Sequence, residues 1–555
     1  MAVKLQTSNL ALNFADQPPN AINIRNLLTN RDCCVNGSQS FMIRSVNAVS
    51  EPIMLSHLEK TTAADDQMRL KVTDGTNKNS VLLEITAGEN GLVFNARVVS
   101  ESPIWMLEWS LTGLQLDEII IPGLGGQVIN ASMPEGESLA YKYPFWWNAQ
   151  FIVGSQQEGG LWLHNRDNSP DQKILRIKRN NGSFTVTWDT EAPAPCENHE
   201  LEMEWFLDGY SGDWQNPVES FRTWLETAYN LSKLVPSPRY PKWMEDKNII
   251  LEIWGAQREF EQAANTFVQM QERLIQWSKI HPPENTMVYL PAFAEHGIDS
   301  HAPDYNPSPL CGGPDKFREL IATAHDMGYH VIVHTNVLAM TYSHRLFPEF
   351  QQYQVTDPFG RKQGWGMDID GDWLAEPFFA YINPGNRAWG DLMTNVIGEL
   401  IEKYRVDGVF LDQTLLSFNE SRGPNFMVGM VSHIRRLQNE FPGVLFAGEG
   451  LHEFNLCALP MAQIHGIDSV AGVHAIDTAH QWRNIHPISV YLFQKYTRLA
   501  GHLLTKNPAD PIFQQQEKAY AMLNIIPVIA LYNSSQHWDY PWVKEVLKRA
   551  RELND

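Results

Sequence analysis

Two carboxylates close short apolar runs in the C-terminal half of this chain. Gly408-Val409-Phe410-Leu411 ends in Asp412, followed by Gln413, and Leu445-Phe446-Ala447-Gly448 ends in Glu449. A buried strand has no use for an acid at its end unless the acid faces something. Two such acids on neighbouring strand ends would converge on one pocket. One carboxylate can attack or stabilise an anomeric carbon while the other, kept protonated, donates to the leaving oxygen, so the pair suits glycoside hydrolysis. The competing reading is that each acid caps the helix after its strand. Two acids, both directly after apolar runs, favour the catalytic reading.

Further polar residues gather near the same expected strand ends. His334 and Asn336 alternate along Tyr329-His-Val-Ile-Val-His-Thr-Asn and share one face, as strand residues two apart do. Gln413 and Glu453 follow the two acids. His474, Asp477 and His480 lie in Val473-His-Ala-Ile-Asp-Thr-Ala-His. Trp254, at the end of an early apolar run, and Trp365, in a long connection, are candidate sugar platforms. All are candidate substrate contacts, and each could equally be a satisfied structural group.

The elements that must position these residues alternate. From Asn248 onward the pattern reads strand, helix, strand, helix, with strands expected at 248–255, 286–293, 329–336, 406–412, 444–449, within 464–476, at 500–506 and at 525–532. Helices are expected at 261–279, 314–327, 388–404, 425–441, 482–498, 512–523 and 542–553. Eight alternations imply a (β/α)8 barrel, whose C-terminal strand ends face the active site. The connection from Leu338 to Arg387 is far too long for an ordinary barrel loop and is expected to wall the pocket. Asp407 opens its strand at the opposite end and is excluded from the site.

Residues 1–235 have a different texture: short runs such as Val81-Leu-Leu-Glu-Ile-Thr and Phe184-Thr-Val-Thr-Trp, broken by Gly, Asn, Asp and Pro. That predicts an antiparallel β-sandwich. Pro236, Pro238 and Pro241 mark a stiff connector, so the expected domains are 1–235 and 236–555.

The motifs resemble those of α-amylase-type glycoside hydrolases. Gly408-Val-Phe-Leu-Asp412 is similar to the fourth-strand motif Gly-Phe-Arg-x-Asp, which implies that Asp412 is the nucleophile. Ala447-Gly-Glu449 is similar to the fifth-strand motif, which implies that Glu449 is the acid/base. Val331 to Asn336 resembles the third-strand motif Asp-x-Val-x-Asn-His. The sandwich resembles the galactose-mutarotase-like domain that precedes barrels in endo-α-N-acetylgalactosaminidases and α-galactosidases, and the whole chain resembles a bacterial branch of these glycosidases. Phe410 departs from the pattern, since an Arg that contacts the nucleophile stands there in the family. In α-galactosidase-like barrels the acid/base is an Asp after strand six, which keeps Asp468 and Asp477 as alternatives to Glu449.

Asp368-Ile-Asp370-Gly-Asp372, with Glu376, could converge on calcium, but Gly371 is fourth in the loop rather than sixth as in an EF-hand. Asp368 and Asp370 are therefore read as cleft lining, and no cofactor is expected. Two other readings stay open: a carbohydrate-binding barrel without turnover, and a metal-dependent barrel hydrolase or lyase using His334, Asp412 and Glu449.

The 555-residue chain is 43% hydrophobic and carries 18 Trp and 17 Tyr. Its formal charge of −21 argues against nucleic acid. Five scattered Cys argue against a disulfide framework or zinc ribbon. No signal-length or membrane-length apolar run is present, so a cytoplasmic protein acting on a glycoside or oligosaccharide is expected.

Overall fold

The computed structural model describes residues 3–14, 20–89, 91–235, 237–256, 262–295, 297–365, 378–467, 470, 480–502, 511–531 and 541–553. The chain divides into two compact units, Met1–Asn230 with Ala479–Leu492, and Leu231–Thr478 with Phe493–Asp555.

The first unit is built from two antiparallel sheets, of nine and ten strands. Alternation along the strands puts one apolar face of each inward. Gln67–Thr73, for example, buries Met68, Leu70 and Val72 while Arg69 stays exposed. The two sheets share one core, in which Trp109 and Trp205 pack with centroids 4.5 Å apart and Trp147 meets Trp188 edge-on at 4.5 Å. A helix over 482–498 is not observed. Arg483–Ile485 is a strand paired with Gln127–Asn130, and a short helix, Ile488–Phe493, follows Pro487. Proline cannot continue a helix from its N-terminal side, and a partner strand more than 350 residues away leaves no local signal.

The second unit holds an eight-stranded parallel sheet. Its strands are β1 Ile249–Ile253, β2 Thr286–Leu290, β3 His330–Asn336, β4 Gly408–Asp412, β5 Leu445–Glu449, β6 Met461–Gln463, β7 Arg498–Ala500 and β8 Val528–Leu531. Neighbours pair in the order β7-β6-β5-β4-β3-β2-β1-β8. The ring closes where Gly501 N–H donates to Ile526 O and Ile526 N–H to Leu499 O, both at 3.0 Å. Strands six and seven fall earlier than the sequence pattern suggests. Each is three residues long, too short to show a period.

The helices between strands have identifiable stops and starts. Thr266 and Gln269 form a capping box at the start of Phe267–Trp277. The Asn386 side chain caps Arg387–Tyr404, which ends at Arg405 in the left-handed region at φ 62°. At the opposite end of β4, the Asp407 carboxylate accepts from Val331 N–H at 2.7 Å and pairs with His325 Nε2 at 2.9 Å. It braces the barrel floor. The long connection after β3 folds on itself, with Ala339–Thr341 pairing antiparallel with Phe379–Tyr381. All five cysteines are free thiols. No helix among the described residues is long and apolar enough to cross a membrane.

Candidate active site

The inward face of the barrel follows from strand parity. Phe410 and Asp412 share a face of β4, His334 and Asn336 of β3, Ala447 and Glu449 of β5. Parallel pairing sets Asn336 opposite Asp412 and His334 opposite Phe410. Leu411 pairs with Gly448, so the two terminal acids emerge side by side.

Asn336 is the hub. Its Nδ2 lies 3.1 Å from Asp412 Oδ2, 3.1 Å from Gln413 Oε1 and 3.2 Å from Asp299 Oδ2. Its Oδ1 accepts from Leu338 and Ala339 N–H, and its own N–H donates to Tyr305 Oη at 2.6 Å. His334 is clamped from both sides, by Tyr289 Oη at Nδ1 (2.8 Å) and Asp299 Oδ1 at Nε2 (3.1 Å).

Phe410, where the α-amylase-type motif named above would put an arginine, sits among rings. It packs on His334 and Tyr289 with centroids 5.9 and 5.1 Å away. Asn336, from the next strand, supplies the donor to Asp412 instead.

Glu449 is held by the backbone. Gln413 N–H donates to Oε2 at 2.9 Å, made possible by a left-handed Gln413 at φ 63°. His465 Nε2, just past β6, lies 3.4 Å from Oε1. Thr414 Oγ1 donates to the Glu449 main-chain oxygen at 2.8 Å. The Glu449 side chain is 14% exposed, at the floor of the barrel mouth.

Three carboxyls close together cannot all ionise freely. Burial, then the charges of Glu449 and Asp299, pushes Asp412 well up. Burial also raises Glu449, against the opposing charge of His502 and the Gln413 N–H. Asp299 is lowered, because the charge and hydrogen bonds of His334 and the Asn336 amide outweigh its burial. The charge of Glu449 is thus one of the causes that raise Asp412, and both carboxyls of the pair lie above their ordinary range.

The structure brings Asp412, Glu449, His334, Asn336 and Gln413 into one cluster. Glu453 is fully buried a few residues on. Trp254 is buried, its Nε1 donating to Glu252. Trp365 stacks on Phe379 at 6.0 Å in the long connection. His480 falls in the first unit, exposed and stacked on Trp482. Asp368, Asp370, Asp372, Glu376, Asp468, His474 and Asp477 lie outside the described residues. Asp299, Tyr289, Tyr305, His465 and His502 escape the sequence reading. The signal for Asp299 is faint: a short stretch, Gly297-Ile-Asp-Ser-His301, a few residues past the end of β2.

A sandwich and an eight-stranded barrel carrying a buried acid pair define a class with known three-dimensional relatives. The alpha-N-acetylgalactosaminidase NagBb of Bifidobacterium bifidum, in complex with GalNAc, aligns over 100% of this chain and 93% of its own, with a TM-score of 0.73 at 12% identity. The same protein in complex with Gal-NHAc-DNJ gives a TM-score of 0.74 at 11% identity, with the same coverage. The GH36 alpha-galactosidase AgaA of Geobacillus stearothermophilus aligns over 100% of this chain and 86% of its own, with a TM-score of 0.50 at 11% identity. At these identities the likeness is one of fold. No curated protein matches the sequence. Residues 199–502 match the family described as Domain of unknown function (DUF6259), and the chain belongs to that family.

Proposed function

We propose that this protein hydrolyses an α-linked glycoside with retention of configuration, Asp412 acting as nucleophile and Glu449 as general acid/base. The observation that carries the reading is the pair of buried, raised carboxyls Asp412 and Glu449 on adjacent strand ends. Their emergence from adjacent, paired strands β4 and β5 suits the closer carboxyl spacing of retaining enzymes, about 5–5.5 Å. The fold likeness to glycosidases supports the same class, and the sugars of those enzymes make α-galactosides and α-N-acetylgalactosaminides the first substrates to try.

The steps follow from the geometry. In the sugar-free site the proton is held more strongly by Asp412; for reaction it must pass to Glu449, which gives it to the glycosidic oxygen as that bond breaks. Asp412, steadied by Asn336, bonds to the anomeric carbon. Glu449, now ionised, takes a proton from water, whose oxygen attacks the same carbon and releases Asp412.

The test is a panel of aryl α-glycosides, with the anomer of the first-formed product followed by NMR. Retention, and its loss in Asp412→Asn and Glu449→Gln, supports the reading. Full activity in either variant sinks it, as does a sugar that binds by calorimetry without turnover.

A second reading has its own observation. Asp299, His334 and Asp412 bring metal-ligating atoms within 4.8 Å of one another, and so do Glu449, His465 and His502. That arrangement suits a metal-dependent hydrolase, with ligands grouped differently from the set expected from sequence. Activity that survives exhaustive chelation removes it.

A further inference from the structure

A third group of metal-ligating side chains takes no part in the proposed hydrolysis. His301, Asp304 and His344 each present one ligand atom within 4.8 Å of the others. The first two belong to a turn after β2, in which Asp304 N–H donates to His301 O at 2.9 Å. His344 belongs to a turn after β3, its N–H donating to Thr341 O at 2.9 Å. Thr341 N–H in turn donates to Ala302 O at 2.9 Å, which ties the two turns together.

The His344 side chain is completely buried and its Nε2 makes no hydrogen bond. A buried ring nitrogen that meets a carboxylate only out of hydrogen-bond line is poorly satisfied and asks for a cause. This one faces Asp304 Oδ2 at 3.1 Å, and His301 Nε2 lies 3.8 Å from the same oxygen. A tetrahedral zinc ion with ligands at about 2.0–2.1 Å sets edges of roughly 3.3–3.4 Å between its ligand atoms. The two observed edges bracket that length.

We propose that His301, Asp304 and His344 form a binding site for a divalent transition metal of the zinc class. Two imidazoles and one carboxylate suit such an ion, whereas calcium and magnesium select oxygen. His301 and Asp304 are 36% and 26% exposed, which gives the ion a way in and a water a fourth position. His344 Nδ1 accepts from Leu346 N–H at 3.2 Å. Coordination through Nε2 puts the ring proton on Nδ1 and gives up that long contact.

The site would act as a brace. The same loop carries Asp299 and Tyr305, both bonded to Asn336. A metal at its turn ties this loop to the segment after β3, so its effect is structural and independent of whether the barrel hydrolyses glycosides.

The test uses the full chain, stripped with chelator and titrated with Zn2+ by calorimetry, with thermal melts in parallel. Binding of about one equivalent and a raised Tm are expected. His301→Gln, at a partly exposed position, should weaken Zn2+ binding at least about tenfold while leaving the metal-free melt unchanged. Asp304→Asn should do the same, and a His465→Gln/His502→Gln double variant should bind as the parent does. The proposal is overturned if Zn2+ at about 100 μM does not bind. It is equally overturned if His301→Gln and Asp304→Asn both bind as the parent does, or if only the double variant loses the ion.

Discussion

Asn336 Nδ2 lies 3.1 Å from Asp412 Oδ2, directly across the β3–β4 register. Phe410, two residues before Asp412, carries no donor, and this bond is what holds the Asp412 carboxylate. The donor stands at the facing position on the neighbouring strand. Asn336→Ala should lower kcat on a cleaved α-glycoside by about 10²-fold, with a smaller change in KM, because the donor acts where charge is reorganised. An unchanged kcat would show that Asp412 needs no such partner.

The crowded acids make the site costly to the fold. Burial, then the charges of Glu449 and Asp299, holds Asp412 well above its ordinary 3.8. The folded state therefore binds this proton more tightly than the unfolded chain does. That contribution to stability is complete below about pH 4 and is lost as pH rises through the folded value. Asp412→Asn should accordingly raise Tm near pH 8, by roughly 2–4 °C, while abolishing turnover. The gain should shrink towards pH 4. A lower Tm at pH 8 would contradict the crowding of these carboxyls.

His502 restrains the acid. Burial raises Glu449 and the charge of His502 opposes it. In His502→Asn the Glu449 carboxyl should rise further and stay protonated to higher pH. The alkaline limb of the kcat/KM profile, which reports the general acid of the free enzyme, should then move upward. A limb that stays put would remove His502 from the electrostatics of the pair.

Gly448 has no room for a side chain. A Cβ there would stand 2.5 Å from Thr414 Oγ1 and 2.6 Å from Leu459 Cδ1. Thr414 is the hydroxyl that holds the Glu449 backbone. Gly448→Ala should cost about 1–3 kcal/mol in chemical denaturation and reduce activity by displacing Glu449. A variant with parental stability and rate would mean that the β5 end is slack.

Much of the barrel was legible because strands carry their own signals. Apolar runs that stop at an acid mark both the strand and its end, and the two-residue period alone assigns Asp412, Asn336, His334 and Glu449 to the inward face. Texture likewise separates the sandwich strands from the strand–helix alternation that follows. Strands β6 and β7, at three residues each, carry no period, and the sheet partner of Arg483–Ile485 lies at Gln127–Asn130. No window of sequence contains both.

By itself, then, the sequence determined which strand-end side chains face inward, since that depends only on the geometry of a strand. The tertiary structure alone decided which of them touch. Asn336 reaches Asp412 because β3 and β4 pair in that register, and Asp299, Tyr305, His465 and His502 arrive from loops that only closure of the barrel brings to the same mouth. Hydrogen bonds between residues 31 to 77 positions apart depend on how strands are ordered round a ring, and no local pattern encodes that order.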